Sequence, residues 1–211
     1  MMLVKTLATA AAVALLLAGC TGLKSTAPTE QLYVLRPAPV AAAMAQPLKV
    51  VLQLRRPGAQ PGLDTERIAL ALPGHRLDYY AGARWSAPLP QVTEALFLQS
   101  LRGSGRFAQV SGDVGGVGAD YLLAVTLRRF EAEYTVTGGI PTVQLQLECV
   151  LVNQHEHRQV ASFDIVSSAP AAANRQESVV AAFEQALQAA SQQLVERTAL
   201  QVATALAAEA H

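Results

Sequence analysis

Between residues 48 and 166 apolar and polar positions alternate in several runs. A period of two puts successive side chains on opposite faces of a strand. Leu48, Val50, Leu52 and Leu54 alternate with Lys49, Gln53 and Arg55. Tyr121, Leu123, Val125 and Leu127 are followed by Phe130, Ala132 and Tyr134, so the phase flips at Arg128-Arg129 and predicts a bulge in the longest strand, 121–134. Val143, Leu145, Leu147, Cys149 and Leu151 share one face of a strand over 142–152, and a turn at 154–158 leads to its neighbour over 160–166. Shorter strands are expected at 31–35 and 107–110. A hairpin is expected from 67–72 and 76–80 around Pro73-Gly74, and 56–62 is a connection rich in turn signals.

Twice the period changes to three and four. Pro88-Leu-Pro90 starts a helix whose apolar face is Leu89, Val92, Leu96, Phe97 and Leu101, and Gly103-Ser-Gly105 stops it. In the second helix Val180, Phe183, Leu187, Ala190 and Leu194 form the buried stripe. Asn174 with Glu177 three residues on is expected to cap it as a capping box. The stripe weakens past Thr198, where the helix is expected to fray or to bind something else. Strands, a helix, more strands and a last helix, with no repeat and no internal linker, predict a single α+β domain: a mostly antiparallel sheet with two helices packed on it.

The N-terminus has a different pattern. Lys5 is the sole charged side chain before an apolar run from Thr6 to Ala18, which ends in Leu17-Ala18-Gly19-Cys20. A basic start, a short apolar stretch and small residues at a cut site define a secretory signal, and the run falls short of the roughly 20 residues of a permanent span. The tetrapeptide looks like the lipobox of bacterial lipoproteins, in which the Cys thiol takes a diacylglycerol before cleavage. The chain thus divides into a lipoprotein signal peptide (1–19), a lipidated flexible tether (20–30) reaching about 30 Å at most, and a periplasmic domain (31–211). Thr21-Gly22 lacks the Asp that commonly retains such proteins in the inner membrane, which favours the outer membrane.

Cleavage leaves about 190 residues, enough for one substantial core. Sixteen basic and sixteen acidic residues balance, so nothing suggests a nucleic-acid surface. The charged fraction, 15%, is low against a typical value of about 25%, which fits a domain that buries surface in an assembly. With Cys20 lipidated, Cys149 has no partner within the chain and reads as a small core residue.

Few residues suggest chemistry. In a strand, His155 and His157 would share a face as metal ligands do, but no third ligand accompanies them, and two solvated turn histidines are the simpler reading. Ser104 between glycines lacks the G-x-S-x-G pattern of a nucleophile elbow. Residues 112–118 do not fit G-x-G-x-x-G, and no G-x-x-x-x-G-K-[ST] loop is present to cradle phosphates. No catalytic set, metal site or cofactor is assigned. Tyr79, Tyr80 and Trp85, just before the first helix, are either core or a partner-facing aromatic patch.

Taken in order, several segments resemble one family. Cys20 is followed by Tyr33-Val34-Leu35; Tyr79-Tyr80 and Trp85 precede Pro88-Leu89; the first helix reads into Gly105-Arg-Phe107-Ala-Gln-Val110; Asp120-Tyr-Leu-Leu opens a strand that ends near Phe130-Glu131; and the last helix carries Val180-Ala-Ala-Phe183-Glu-Gln-Ala186. The chain resembles the ABC-type transport auxiliary lipoproteins, found beside MCE-type lipid transport systems such as the paraquat-inducible ones. It departs from the expected pattern at His155-Glu-His157, which lacks Asp or Gly turn residues. The resemblance implies a non-catalytic accessory at the outer membrane. Its partners would be an MCE-domain protein and, through it, an ABC permease and ATPase that move phospholipid or a related lipid. Ring-forming MCE partners, and the small residues of the last helix, also suggest a homo-oligomer. The competing expectation is an outer-membrane lipoprotein that scaffolds or regulates cell-wall synthesis.

Overall fold

The computed structural model describes residues 30–37, 46–113 and 118–209. Cys20, the signal segment and the tether up to residue 29 lie outside the described residues, as does the middle of the glycine-rich turn at 111–118.

Among the described residues nine strands form a single mixed sheet. They are β1 (Gln31–Tyr33), β2 (Leu48–Leu54), β3 (Gly58–Ala59), β4 (Arg67–Leu72), β5 (Arg76–Trp85), β6 (Phe107–Ser111), β7 (Tyr121–Glu133), β8 (Thr142–Asn153) and β9 (Arg158–Pro170). Two helices, α1 (Leu89–Gly103) and α2 (Gln176–Glu209), complete the domain. The longest pairings, β7 with β8 and β8 with β9, are antiparallel, as is the β4–β5 hairpin. Along its other side β7 is met in succession by β2, β3 and β4, all parallel to it. The turn-rich connection at 56–62 therefore carries a two-residue strand that continues the line of β2.

The alternation of β7 and β8 sets which face is covered. Tyr121, Leu123, Val125, Leu127, Phe130 and Ala132 are buried, and so are Val143, Leu145, Leu147, Cys149 and Leu151. Leu127 and Phe130 would face opposite sides of a regular strand. The register slips between Leu127 and Arg129 against β8, leaving Arg128 as the extra residue of a bulge, and the buried face is recovered. β5 extends five residues past the expected end at Tyr80. Between the pairs Arg67–Arg84 and Ala69–Tyr79 β4 has one residue and β5 has four, and Gly82 takes φ +67° within that bulge.

Pro88 stands at the N-cap of α1, and Pro90 fits the first turn, where no N–H is required. Gly105, at φ +61°, ends the helix in the left-handed region. Ser104 Oγ donates to the Leu101 carbonyl at 2.6 Å and accepts from the Arg106 N–H, which accounts for this serine. α2 does not fray past Thr198. It runs to Glu209, and Ala199 and Val202 are buried. Alanines sustain the helix while giving little hydrophobic contrast for a periodicity to display.

Asn174 does not cap α2. Its Oδ1 accepts the Tyr134 hydroxyl at 2.8 Å, and its Nδ2 donates to the Gly138 carbonyl at 3.1 Å. The 154–157 turn forms without Asp or Gly because Asn153 Oδ1 accepts the N–H groups of His155 and Glu156, and His157 takes φ +51°. At the free edge of β9, Arg197 donates to the Asp164 carbonyl and Gln193 Nε2 to the Val166 carbonyl.

Candidate functional site

The aromatic residues before α1 have separate fates. Trp85 is 1% exposed and packs edge-on against Phe183, with centroids 5.3 Å apart, and against Phe130 at 6.0 Å. The partner-facing alternative does not fit it, because strand alternation after the β5 bulge turns it into the core. Its indole N–H has no hydrogen-bond partner among the described residues. Tyr80 is half-buried, and its hydroxyl lies 2.8 Å from that of Tyr134, so both join Asn174 in one relay from β5 to the start of α2. Burial, then the Tyr134 contact, raises the Tyr80 phenol above its ordinary range. Tyr79 lies on the opposite face of the sheet. Its hydroxyl donates to the Gly62 carbonyl at 2.9 Å, and the Arg67 guanidinium stacks 3.8 Å over its ring.

Among the described residues neither helix lines the hollow on that side. The loop at 60–63, the β4–β5 hairpin and the bulged stretch of β7 enclose an open trough of about 590 Å³. Leu63, Leu77, Arg129, Glu131 and Glu133 are among its lining residues. Glu131 is 8% exposed, and a carboxylate so placed needs partners. Arg129 Nε donates to its Oε1 at 2.6 Å, and the Phe130 N–H donates to its Oε2 at 2.8 Å. Arg129 also reaches Glu133 at 3.3 Å, and Arg128 pairs with Glu148 across to β8. The bulge places two arginines side by side over carboxylates from both strands. The result is a floor of interlinked charges, two arginines against three carboxylates.

At the other end of the sheet His155 and His157 sit in the β8–β9 turn, not in a strand. His155 Nε2 lies 2.9 Å from Asp120 Oδ1, while Asp120 Oδ2 accepts the Val51 N–H at 2.7 Å. Among the described residues no three His, Cys, Asp or Glu side chains converge to hold a metal. Glu209, the last residue of α2, accepts from the Tyr121 hydroxyl and from Asn153 Nδ2, tying the helix end to this turn. The contact with His155 and then the Val51 N–H hold the Asp120 carboxyl below its ordinary value. A lowered carboxyl contributes stability that is complete above the ordinary carboxylate range and is lost as pH falls through the lowered value. Asp120→Asn should therefore melt lower than the parent at neutral pH, with the gap closing in acid. Thermal melts over a pH series check this, and a gap independent of pH would contradict it. Cys149 is fully buried, and burial pushes its thiol up to about 12, so it is inert packing.

Residues 33–195, from β1 well into α2, match the family model described as ABC-type transport auxiliary lipoprotein component. The chain belongs to that family. A crystal structure from Xanthomonas campestris is 28% identical with a TM-score of 0.73, covering 82% of this chain and 97% of that one. An uncharacterized protein (15% identity, TM-score 0.61, 81% and 99% covered) and a hypothetical protein from Chlamydia trachomatis (8%, 0.52, 72% and 96%) share the fold. No curated protein sequence matches the chain. As an ABC-type transport auxiliary lipoprotein, the protein is a component of a transport system in the cell envelope, and membership implies a role other than catalysis.

The sequence singled out Tyr79, Tyr80 and Trp85 together, but the structure puts them on two faces with three different sets of partners. Reading the sequence missed Glu131 and its arginines as a buried ion network. The signal was present in the phase flip at Arg128-Arg129, because a bulge re-aims the side chains beside it.

Proposed function

We propose that this auxiliary lipoprotein is anchored through Cys20 to the periplasmic face of the outer membrane. There it serves an MCE-type ABC system that moves phospholipid or a related lipid, and it acts by docking to the MCE protein. The family match across nearly the whole described domain carries the reading. The hollowed sheet face supports it. That face offers a wide trough in which Arg129 is paired with Glu131 and Glu133, and polar groups arranged in this way can meet a complementary polar surface.

The test is crosslinking in native envelopes with the MCE protein encoded beside it. Capture of that protein, weakened when Arg128 and Arg129 are both changed to Glu, is the expected result. Capture of a cell-wall synthase in its place, with lipid distribution unchanged on deletion, would overturn the reading in favour of a scaffold. Fractionation of inner and outer membranes checks the location independently.

A further inference from the structure

Residues 30–37 join the tether to the domain and are held at several points. β1 pairs in parallel with the end of β5, and the Ser86 N–H donates to the Tyr33 carbonyl at 3.1 Å. Glu30 meets Arg84 at 3.0 Å. Beyond β1 the Arg36 N–H donates to Glu184 Oε2 at 3.0 Å, and Gln188 donates to the carbonyls of Arg36 and Pro37. The segment alternates. Tyr33 packs on the core and Leu35 is 3% exposed, so Leu32, Val34 and Arg36 face out. Leu32 is 55% exposed and Val34 63%. Their backbone is pinned and the inward positions are filled, so neither can turn in. Sheet edges are ordinarily protected by charge or proline at such positions; here one aliphatic side chain stands on the outermost strand and a second just past its end.

Other exposed aliphatics exist, among them Val136, Ile140, Val166 and Leu200. What distinguishes Leu32 and Val34 is their distance from the anchor. No more than about 40 Å of extended chain separates Leu32 from Cys20. A surface tethered by so short a linker is present at high effective concentration whatever the protein's other partners. That surface is the bilayer. The charges beside the strip are matched, Arg36 by Glu184 at 3.4 Å and Arg84 by Glu30 and Glu66. The contact is therefore apolar, with the Arg36 stem able to lie along it.

We infer that the strip Leu32-Val34-Arg36 is a membrane-contact edge, resting on the bilayer that holds the Cys20 lipid and fixing which side of the domain faces it. The inference rests on the lipidation of Cys20 proposed above. The test uses the full lipidated chain carrying Val34→Cys, labelled with an environment-sensitive fluorophore, in phosphatidylcholine vesicles with a nitroxide quencher on the acyl chains. Leu200→Cys, on the exposed side of α2, is the control. Cys149 is buried and Cys20 is blocked by lipid, so the introduced thiol takes the label. Expected are a blue-shifted emission at position 34 and quenching several-fold stronger than at 200, both insensitive to high salt and to added anionic lipid. A chain that floats with the vesicles while position 34 is as wet and unquenched as 200 overturns the inference and leaves the anchor standing. A blue shift without quenching assigns the strip to a protein contact and overturns it as well. A chain that fails to float removes the anchor reading, and the inference with it.

Discussion

Cys20→Ser releases the protein from the envelope membranes into the soluble periplasmic fraction and abolishes its contribution to transport, while the domain still folds. The expectation follows from where Cys20 stands in the chain. Ten residues separate it from β1, and the described domain begins to pack only at Tyr33 and Leu35. Among the described residues, the contacts that hold the sheet together are made by residues 30–209. Among the described residues no helix is long and apolar enough to cross a membrane; with Cys20 lipidated as proposed, the acyl chains are what the substitution deletes. Fractionation gives the first readout, circular dichroism of the released protein the second, and complementation of a deletion strain the third. A soluble form that restores full function would show that the anchor is dispensable, and the docking proposal would lose its geometry.

Phe183→Ala lowers stability by about 3–5 kcal/mol. Phe183 is fully buried in α2. It lies 4.9 Å centroid to centroid from Phe130 of β7 and 5.3 Å from Trp85 at the end of β5. The three rings join the last helix to both halves of the sheet, and an alanine leaves a cavity that strands fixed by their ladders do not close. For a domain of this size each kcal/mol moves the midpoint by about 2–4 °C, so a fall of about 10 °C is expected. Trp85 is the single tryptophan, and its near-ultraviolet circular dichroism reports the loss of fixed ring packing directly. Leu200→Ala, at an exposed position of the same helix, should stay within about 0.5 kcal/mol of the parent. A loss at Phe183 as small as that would mean that the cluster is not a keystone of the core.

Much of this fold is legible in the sequence, and the reason lies in particular strands. β7 and β8 are buried on one face and polar on the other, so their period, their partners and the bulge after Leu127 are all written in the alternation. The end of β5 is not, because four residues bulge out around Gly82 and the pattern breaks where the strand continues. Past Thr198 alanines hide the buried side of α2. Asn174 looks like a cap, and only the fold reveals that Tyr134 has a stronger claim on its carbonyl oxygen. Function is less legible. The lipobox-like run Leu17-Ala18-Gly19-Cys20 is a local pattern and stands out at once. A docking surface depends on which outward residues the topology brings side by side, and neither Glu131 under Arg129 nor the Leu32-Val34 strip announces itself before the sheet is assembled.

The two side chains that α2 lends to the edge of β9 matter most when many copies are present. A thirteen-residue outer strand is an invitation to pair with its neighbour. Lipid-held molecules are confined to a plane, where encounters are frequent and orientations are shared, the conditions under which open strands polymerise. Arg197 and Gln193 occupy the Asp164 and Val166 carbonyls in the middle of that edge. With two of its carbonyls taken in this way, the edge leaves less of the strand open to a second copy.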